Sequence, residues 1–218
     1  MGSELRYRLK PKQYEVYCDE SRFRVVVAGR RSGKTWGECV ELFTRAAATE
    51  NARCWYIAPT YRQARDIAWG ALKEIIPDNV LDGRPNESRL EIRLVTGSEI
   101  ALKGADDPDS LRGPGLDFAA LDEFAWISPY AWDVVRPMLA DRGGRALFTT
   151  TPAGYNWAYD LYMRGMSGED GWRSWQYTTA EAGVVPVEEI EAARSDLDPR
   201  IFRQEYEASF ETLAGRVY

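Results

Sequence analysis

The hydrophobic positions of the chain fall into short apolar runs that are separated by longer amphipathic stretches. Four of these runs are almost entirely apolar, as strands buried on both faces of a sheet are. The predicted strands are residues 23–28, 54–58, 118–121 and 146–150. Helices are predicted over residues 34–48 and 63–76, and Pro77 ends the second because proline cannot continue a helix. This alternation predicts an α/β fold with a mostly parallel central sheet flanked by helices.

Two further segments depart from this pattern. Residues 90–103 alternate between apolar and polar positions, which is typical of a β-hairpin, and we predict a hairpin insertion here. After Pro152 the sequence is aromatic, and we interpret it as helical; from Val184 onward it is acidic and amphipathic. We therefore predict a core domain over residues 1–181 and a small helical lid over residues 182–218. Prolines stand near the predicted lid helix starts, at Pro186 and Pro199.

Length and composition favour one main domain. The 218 residues are 44% hydrophobic, which allows one substantial core but hardly two. No apolar run approaches the roughly 20 residues that a membrane helix needs, and the first residues lack a signal peptide's apolar stretch. We expect a soluble protein. The chain has three widely spaced cysteines and no histidine, so we expect reduced thiols rather than a zinc site. These cysteines are Cys18, Cys39 and Cys54.

The charge is distributed unevenly along the chain. The net charge is −6, yet residues 1–35 carry nine Lys/Arg against four Asp/Glu, whereas residues 164–218 carry six against eleven. A basic patch near the start could bind DNA, or it could be a solvated face near a phosphate site, and the sequence leaves both interpretations open. The residues of this candidate patch are Arg6, Arg8, Lys10, Lys12, Arg22 and Arg24.

A phosphate-binding loop is predicted at residues 28–35. They fit the pattern [A/G]-x4-G-K-[S/T], follow a predicted strand and begin a predicted helix, which is the context that the motif requires. The backbone N–H groups of residues 30–34 are expected to surround the β-phosphate, aided by the helix dipole. Lys34 would reach the β and γ oxygens, Thr35 would place its hydroxyl on Mg²⁺, and Gly33 leaves room for the phosphate. The candidate nucleotide-binding residues are Gly29, Arg30, Arg31, Ser32, Gly33, Lys34 and Thr35.

Two carboxylates, Asp122 and Glu123, follow the apolar strand at residues 118–121. Ligands bind at the carboxyl ends of such strands, so we predict that Asp122 holds Mg²⁺ through water and that Glu123 activates the attacking water. A glutamate at this place favours ATP hydrolysis over GTP chemistry. The alternative is a pair that merely caps a helix. Thr150 and Thr151 end the next strand and are candidates for sensing the γ-phosphate, although threonines are common in strands.

Several motifs together resemble the ATPase domain of the large terminase subunit, the motor that packages DNA into tailed-phage and herpesvirus-like capsids. They are the loop Gly29-Arg30-Arg31-Ser32-Gly33-Lys34-Thr35, the segment Ile57-Ala58-Pro59-Thr60-Tyr61-Arg62-Gln63-Ala64, and Ser110-Leu111-Arg112-Gly113 followed by Leu116-Asp117-Phe118. Further matches are Thr150-Thr151-Pro152, Pro11-Lys12-Gln13 and Phe202-Arg203-Gln204-Glu205-Tyr206. The resemblance covers nearly the whole chain, and the combination is more specific than any single motif.

The resemblance implies roles for residues outside the loop. Gln13 would read the adenine edge, and Arg112 matches an arginine that some family members insert across a subunit interface to stabilise charge on the γ-phosphoryl. Each has a plainer alternative, a surface helix residue for Gln13 and a loop salt bridge for Arg112. Arg30 or Arg31 could also act as a finger or sensor within the subunit, and the sequence does not decide between them.

The resemblance also implies a function and partners. The chain would hydrolyse ATP with Mg²⁺ to drive double-stranded DNA into a procapsid, in the host cytoplasm and without a membrane. Its expected partners are DNA, the portal protein on the procapsid, the small terminase subunit and further copies of itself in a ring. Large terminases normally continue into a nuclease, but we see no strand with metal-binding aspartates after Thr151 and predict no nuclease activity.

The sequence also allows two other functions. A helicase shares the loop, the Asp-Glu pair and a threonine motif, but it usually needs a second RecA-like domain. An assembly module that binds ATP without turnover is disfavoured by Glu123. The eight tryptophans could stack on bases, but we interpret those in apolar stretches as core and lid packing. The examples are Trp126, Trp132, Trp157 and Trp175.

Overall fold

The computed structural model describes residues 8–212, so Arg6 and residues 213–218 of the predicted lid lie outside the described part. One sheet of seven strands has the order β3-β4-β2-β5-β6-β1-β7. The strands are β1 Phe23–Ala28, β2 Arg53–Ala58, β3 Glu91–Arg93, β4 Glu99–Gly104, β5 Phe118–Asp122, β6 Arg145–Thr150 and β7 Trp172–Tyr177. β2 pairs in parallel with β4 and β5, β1 pairs in parallel with β7, and β3 is antiparallel to β4. The predicted α/β fold with a mostly parallel sheet is confirmed.

Helices connect most of the strands. Their bounds are α1 Pro11–Cys18, α2 Lys34–Ala48, α3 Tyr61–Ala64, α4 Gly70–Ile75, α5 Pro129–Ala140, α6 Trp157–Met166, α7 Thr179–Ala182, α8 Val187–Asp196 and α9 Pro199–Tyr206. A π-helical turn, Arg65–Trp69, joins α3 to α4, so the helix predicted over residues 63–76 is present and ends before Pro77. Within residues 8–212, no helix is both long and apolar enough to cross a membrane.

The described chain divides into two compact units. The first unit comprises Thr35–Asp122 and Ile127–Leu147 together with residues 8 and 9; the second comprises Lys10–Lys34, Glu123–Trp126 and residues 148–212. Each unit is built from separate stretches of the sequence, so neither corresponds to one continuous segment. The lid helices α8 and α9 begin next to Pro186 and at Pro199, as expected, while the domain boundary at residue 182 stays a prediction.

In the first unit, β2 and β5 are almost fully buried, which explains their apolar sequences. The predicted hairpin is confirmed by β3 and β4, and Leu94 N donates to Ser98 O at 2.9 Å across its turn. Its second strand, however, pairs in parallel with β2 and is an inner strand of the sheet rather than an insertion. The burial of Ile100, Ala101 and Leu102 on consecutive positions shows that both faces of β4 are covered.

In the second unit, all six residues of β1 are buried, and β1 pairs with β7 from Phe23 opposite Trp172 to Ala28 opposite Tyr177. β7 shows that the helical interpretation of the sequence after Pro152 is wrong for this segment, and that a strand does follow Thr151. Trp172 and Trp175 are buried three positions apart, a spacing that also suits a helix. β7 contains no aspartate.

Two side chains lie elsewhere than expected. Arg24 is fully buried in β1, where its Nη1 donates to Val16 O at 2.8 Å, so it does not belong to an exposed basic patch. Trp126 is 67% exposed and therefore does not pack in the core. Trp175 is buried as expected, and the ring of Trp157 packs edge-on against Phe124 at 5.2 Å.

Candidate active site

The phosphate loop connects β1, which ends at Ala28, to α2, which begins at Lys34. The backbone is left-handed at Arg31, with φ 57°, and at Gly33, with φ 79°. Glycine suits Gly33 because of its positive φ, and a Cβ there would lie 2.3 Å from Gln13 Nε2 and displace the end of that side chain. Ser32 Oγ is buried and makes no hydrogen bond within the described residues. The loop thus has the shape and the polar groups of an anion-binding turn.

The ammonium group of Lys34 lies over this loop. Lys34 Nζ donates to Ala28 O at 3.2 Å, to Gly29 O at 3.3 Å and to Thr151 Oγ1 at 3.2 Å. These are long hydrogen bonds to neutral acceptors, which a phosphate oxygen can replace with stronger, charge-assisted ones. The structure therefore brings the loop lysine together with a threonine that follows β6.

Gln13 lies against the phosphate loop from α1. Its Nε2 donates to Gly33 O at 2.8 Å, and its Oε1 accepts from Lys10 N at 2.7 Å. An amide has two N–H donors and two oxygen lone pairs, so one donor and one acceptor position remain beyond these bonds. This placement suits the adenine-reading role, which stays a prediction.

Arg30 connects the loop to α7 and α9. Its Nε forms a close ion pair with Glu205, its backbone N donates to Glu205 O at 2.6 Å, and Thr179 Oγ1 donates to its carbonyl oxygen at 2.8 Å. The sequence offered no signal for these partners, because they lie 149 and 175 positions away. Arg31 is exposed.

Glu123 has a strained backbone, with φ 51°, which is uncommon for a residue with a side chain other than Asn or Asp. Its Oε2 accepts from Thr150 Oγ1 at 3.3 Å and from Thr151 N at 3.3 Å. Such backbone strain concentrates at functional sites, where the surrounding structure maintains it. Glu123, Thr150, Thr151 and Lys34 therefore form one cluster within the second unit.

The first unit contains a second cluster, at the end of β5. Asp122 is buried, and its Oδ2 accepts from Thr35 Oγ1 at 3.2 Å and, in a closer contact, from the hydroxyl of Tyr56. Burial, and next the negative charges of Asp122 and Glu38, raise the pKa of Tyr56 well above its ordinary value. Sequence reasoning missed Tyr56, since nothing in an apolar strand marks one aromatic residue as a carboxylate partner.

The two clusters are joined through the chain, because Lys34 and Thr35, and likewise Asp122 and Glu123, are consecutive residues. The oxygen ligands of Thr35 and Asp122 suit Mg²⁺, which usually binds one or two carboxylates, several waters and substrate phosphates. Among residues 8–212 no group of three or more His, Cys, Asp or Glu side chains could hold a metal ion. A magnesium ion at Thr35 and Asp122 would therefore take its other ligands from water and from substrate phosphates. These residues thus fit a magnesium ion that arrives with a nucleotide.

Arg112 lies on the surface of the first unit. Its Nε donates to Asp109 Oδ1 at 2.9 Å and its Nη2 to the Tyr130 hydroxyl at 2.8 Å. The hydrogen bond to Asp109, followed by the effect of Tyr130, raises the pKa of Arg112 above its ordinary value. The loop salt bridge is thus present, but an ion pair this exposed is screened by solvent and breaks readily. A role across a subunit interface stays a prediction.

Comparisons with known proteins identify the family to which the chain is similar. The family described as "Terminase large subunit, T4likevirus-type, N-terminal" matches residues 25–218. The large terminase subunit of Thermus phage G20c is 34% identical over 184 residues, which cover 75% of this chain and 38% of that protein. That of Escherichia phage T5 is 32% identical over 203 residues, 90% of this chain and 46% of that protein. The chain thus spans less than half the length of these curated relatives.

The solved structures that this chain resembles are also those of phage large terminases. The large terminase ATPase domain of Thermus phage P74-26 superposes with a TM-score of 0.84 at 30% identity, covering 95% of this chain and 96% of that one. The large terminase of another thermophilic bacteriophage has a TM-score of 0.80 at 15% identity, covering 94% of this chain and 54% of that one, and supports the fold alone. The chain therefore belongs to the family of large terminase subunits of the T4-like-virus type, and it matches the family's N-terminal region.

Proposed function

We propose that this chain is the ATPase motor region of a phage large terminase, which hydrolyses ATP with Mg²⁺ to drive double-stranded DNA into a procapsid. The observation that carries this proposal is the position of Thr151. Its Oγ1 accepts from Lys34 Nζ, and its backbone N donates to Glu123 Oε2. One residue thus contacts both the cation expected at the γ-phosphate and the carboxylate expected at the attacking water.

Each residue has a defined task in this proposal. Lys34 exchanges its bonds to loop carbonyls for the β and γ oxygens, and the loop N–H groups surround the β-phosphate. The Thr35 hydroxyl and Asp122 would hold the ion, Asp122 through water. A bound Mg²⁺ would neutralise negative charge that develops on the phosphates. Gln13 uses its remaining donor and acceptor on the adenine edge while it contacts the loop at Gly33.

Glu123 orients and deprotonates the attacking water in this scheme. Its contacts with Thr150 and Thr151 are both 3.3 Å long, so they orient the carboxylate with weak bonds that a water molecule can replace. Loss of the γ-phosphate changes what Lys34 bonds to, and Thr151 is the protein group that would register this change. Thr150 and Thr151 therefore couple hydrolysis to the backbone that follows β6.

The packaging context is also part of the proposal. It rests on membership of the terminase family and on the similarity to a terminase ATPase domain. The proposed partners are double-stranded DNA, the portal protein on a procapsid, the small terminase subunit and further copies of this chain in a ring. Arg112 would then serve the neighbouring subunit's γ-phosphate. Nuclease activity is not part of this proposal.

The direct test is ATP turnover by the purified chain, with Lys34→Ala as the inactive control. We expect Mg²⁺-dependent hydrolysis of ATP in preference to GTP, stimulated by double-stranded DNA together with portal-bearing procapsids. Stimulation by single-stranded nucleic acid instead would favour a helicase. ATP binding without turnover under all these conditions would favour an assembly module, and both outcomes would contradict the motor.

A further inference from the structure

Tyr56 is a buried polar residue that the nucleotide motifs do not include. It lies near the end of β2 and is fully buried, yet its hydroxyl donates a close hydrogen bond to Asp122 Oδ2. The same oxygen accepts from Thr35 Oγ1 at 3.2 Å. One carboxylate oxygen thus receives two hydroxyl donors, both within the first unit.

Strand register explains why Tyr56 reaches this carboxylate. Tyr56 lies opposite Ala120 of β5, and Asp122 stands two positions further along, on the same face as Ala120. The methyl group of Ala120 leaves room for the tyrosine ring to extend along the strand towards Asp122. On its other side Tyr56 lies opposite Leu102 of β4, so the ring is held between two buried strands. The position of the hydroxyl is therefore set by the sheet itself.

Two donors on Oδ2 fix the rotation of the Asp122 side chain. An sp² oxygen offers two lone pairs, and Tyr56 and Thr35 use both. A hydrogen bond to a charged acceptor is also stronger than one between neutral groups, more so in a buried setting. The direction of Oδ1 is consequently determined, since the carboxylate cannot turn without breaking both bonds.

Tyr56 is the donor in its bond to Asp122. A tyrosine hydroxyl has an ordinary pKa of about 10, so it carries its proton at neutral pH, whereas an aspartate carboxylate can only accept.

We propose that Tyr56 is a positioning residue that orients Asp122 for the magnesium ion of the bound nucleotide. This inference rests on the proposed function. Groups that orient metal-binding side chains typically change metal affinity or activity by 10–100-fold when they are removed. Tyr56 would act through Asp122 alone, without touching the nucleotide.

The test variant is Tyr56→Phe, which keeps the ring and removes the hydroxyl. We expect the Mg²⁺ concentration for half-maximal ATP hydrolysis to rise about tenfold or more. Binding of a fluorescent ATP analogue should stay within about twofold of the parent protein in EDTA, while the gain in affinity on adding Mg²⁺ should shrink. The matched control is Tyr162→Phe, another buried tyrosine, whose hydroxyl donates to Gln176 Oε1 at 3.0 Å in the second unit; it should keep the parent Mg²⁺ dependence.

A double-mutant cycle separates positioning from packing. In an Asp122→Asn background, Tyr56→Phe should change Mg²⁺-dependent nucleotide binding by less than about twofold, since the carboxylate it orients is gone. An unchanged Mg²⁺ dependence in Tyr56→Phe, or an equal loss of affinity in EDTA and in Mg²⁺, would overturn the inference. Failure of the proposed function would look different, because the parent protein itself would then bind ATP without Mg²⁺-dependent turnover, or its turnover would be stimulated by single-stranded nucleic acid.

Discussion

Replacement of Glu123 by glutamine is the most direct probe of the proposed chemistry. Glutamine keeps the side-chain shape, and its Oε1 can still accept from Thr150 Oγ1 and Thr151 N. Both of these contacts are 3.3 Å long and therefore weak. We expect the free energy of unfolding to change by less than about 1 kcal/mol. For a chain of this size, this corresponds to a shift of no more than about 2–4 °C in Tm.

The effect on catalysis should be far larger. An amide cannot take the proton of the attacking water, and loss of a positioned general base typically lowers the rate about 10²–10⁴-fold. On the activation barrier this is about 2.7–5.4 kcal/mol. The phosphate cradle is unchanged, so ATP affinity should stay within a few-fold of the parent value.

The assay combines steady-state phosphate release, equilibrium binding of a fluorescent ATP analogue and thermal unfolding. The control is Glu169→Gln, a surface carboxylate of the same unit that pairs with Arg164, which should hydrolyse ATP at the parent rate. A kcat for Glu123→Gln within tenfold of the parent would refute the assignment of Glu123 as the base. A large fall in Tm would instead mean that the residue is chiefly structural.

Three further predictions concern the loop, the surface arginine and the thiols. Gly33→Ala should reduce Tm by several degrees, because alanine in a left-handed backbone costs about 1–2 kcal/mol, and thermal unfolding checks this. It should also weaken ATP binding in a nucleotide titration, because its Cβ would lie 2.3 Å from Gln13 Nε2 and displace the side chain proposed to read adenine. Arg112→Ala subunits mixed with Glu123→Gln subunits should recover part of the ATPase activity if the arginine acts on a neighbour, and absence of recovery in proven mixed assemblies would contradict that role. At neutral pH a maleimide should label only the exposed Cys18 in the native protein and all three cysteines after denaturation, and mass spectrometry can count the labels. Cys39 and Cys54 should not react in the native protein because they are buried and burial raises their pKa.

The elements that the sequence predicted well are those with strong local signals. β1 and α2 begin and end where predicted, because a fully apolar run and a glycine-rich loop leave few alternatives. The helix before Pro77 was likewise limited by a residue that cannot continue it. Family membership could also be inferred, since ordered motifs over most of the chain are jointly specific.

The errors share a different cause. β7 lies in the aromatic stretch after Pro152 that we interpret as helical from the sequence. The spacing of Trp172 and Trp175 suits a helix as well as a strand, and the strand is defined by its pairing with β1 rather than by its own periodicity. Arg24 was taken for a surface cation, although its position in β1 buries it and its guanidinium donates to a backbone carbonyl. Trp126 was predicted to pack in the core or the lid, but it belongs to a short 3₁₀ turn and is 67% exposed. Burial of a single side chain depends on the neighbouring elements and not on local composition.

The sequence by itself determined the α/β class, the phosphate loop and the acidic pair, since each is a contiguous pattern whose chemistry depends on neighbouring residues. Only the tertiary structure decided which groups contact that chemistry. Tyr56 meets Asp122 across 66 positions, and Arg30 meets Glu205 across 175. These contacts depend on strand register and on the packing of α9, which are properties of the folded chain as a whole. A local pattern can therefore predict a phosphate loop, but not the tyrosine that orients its partner carboxylate.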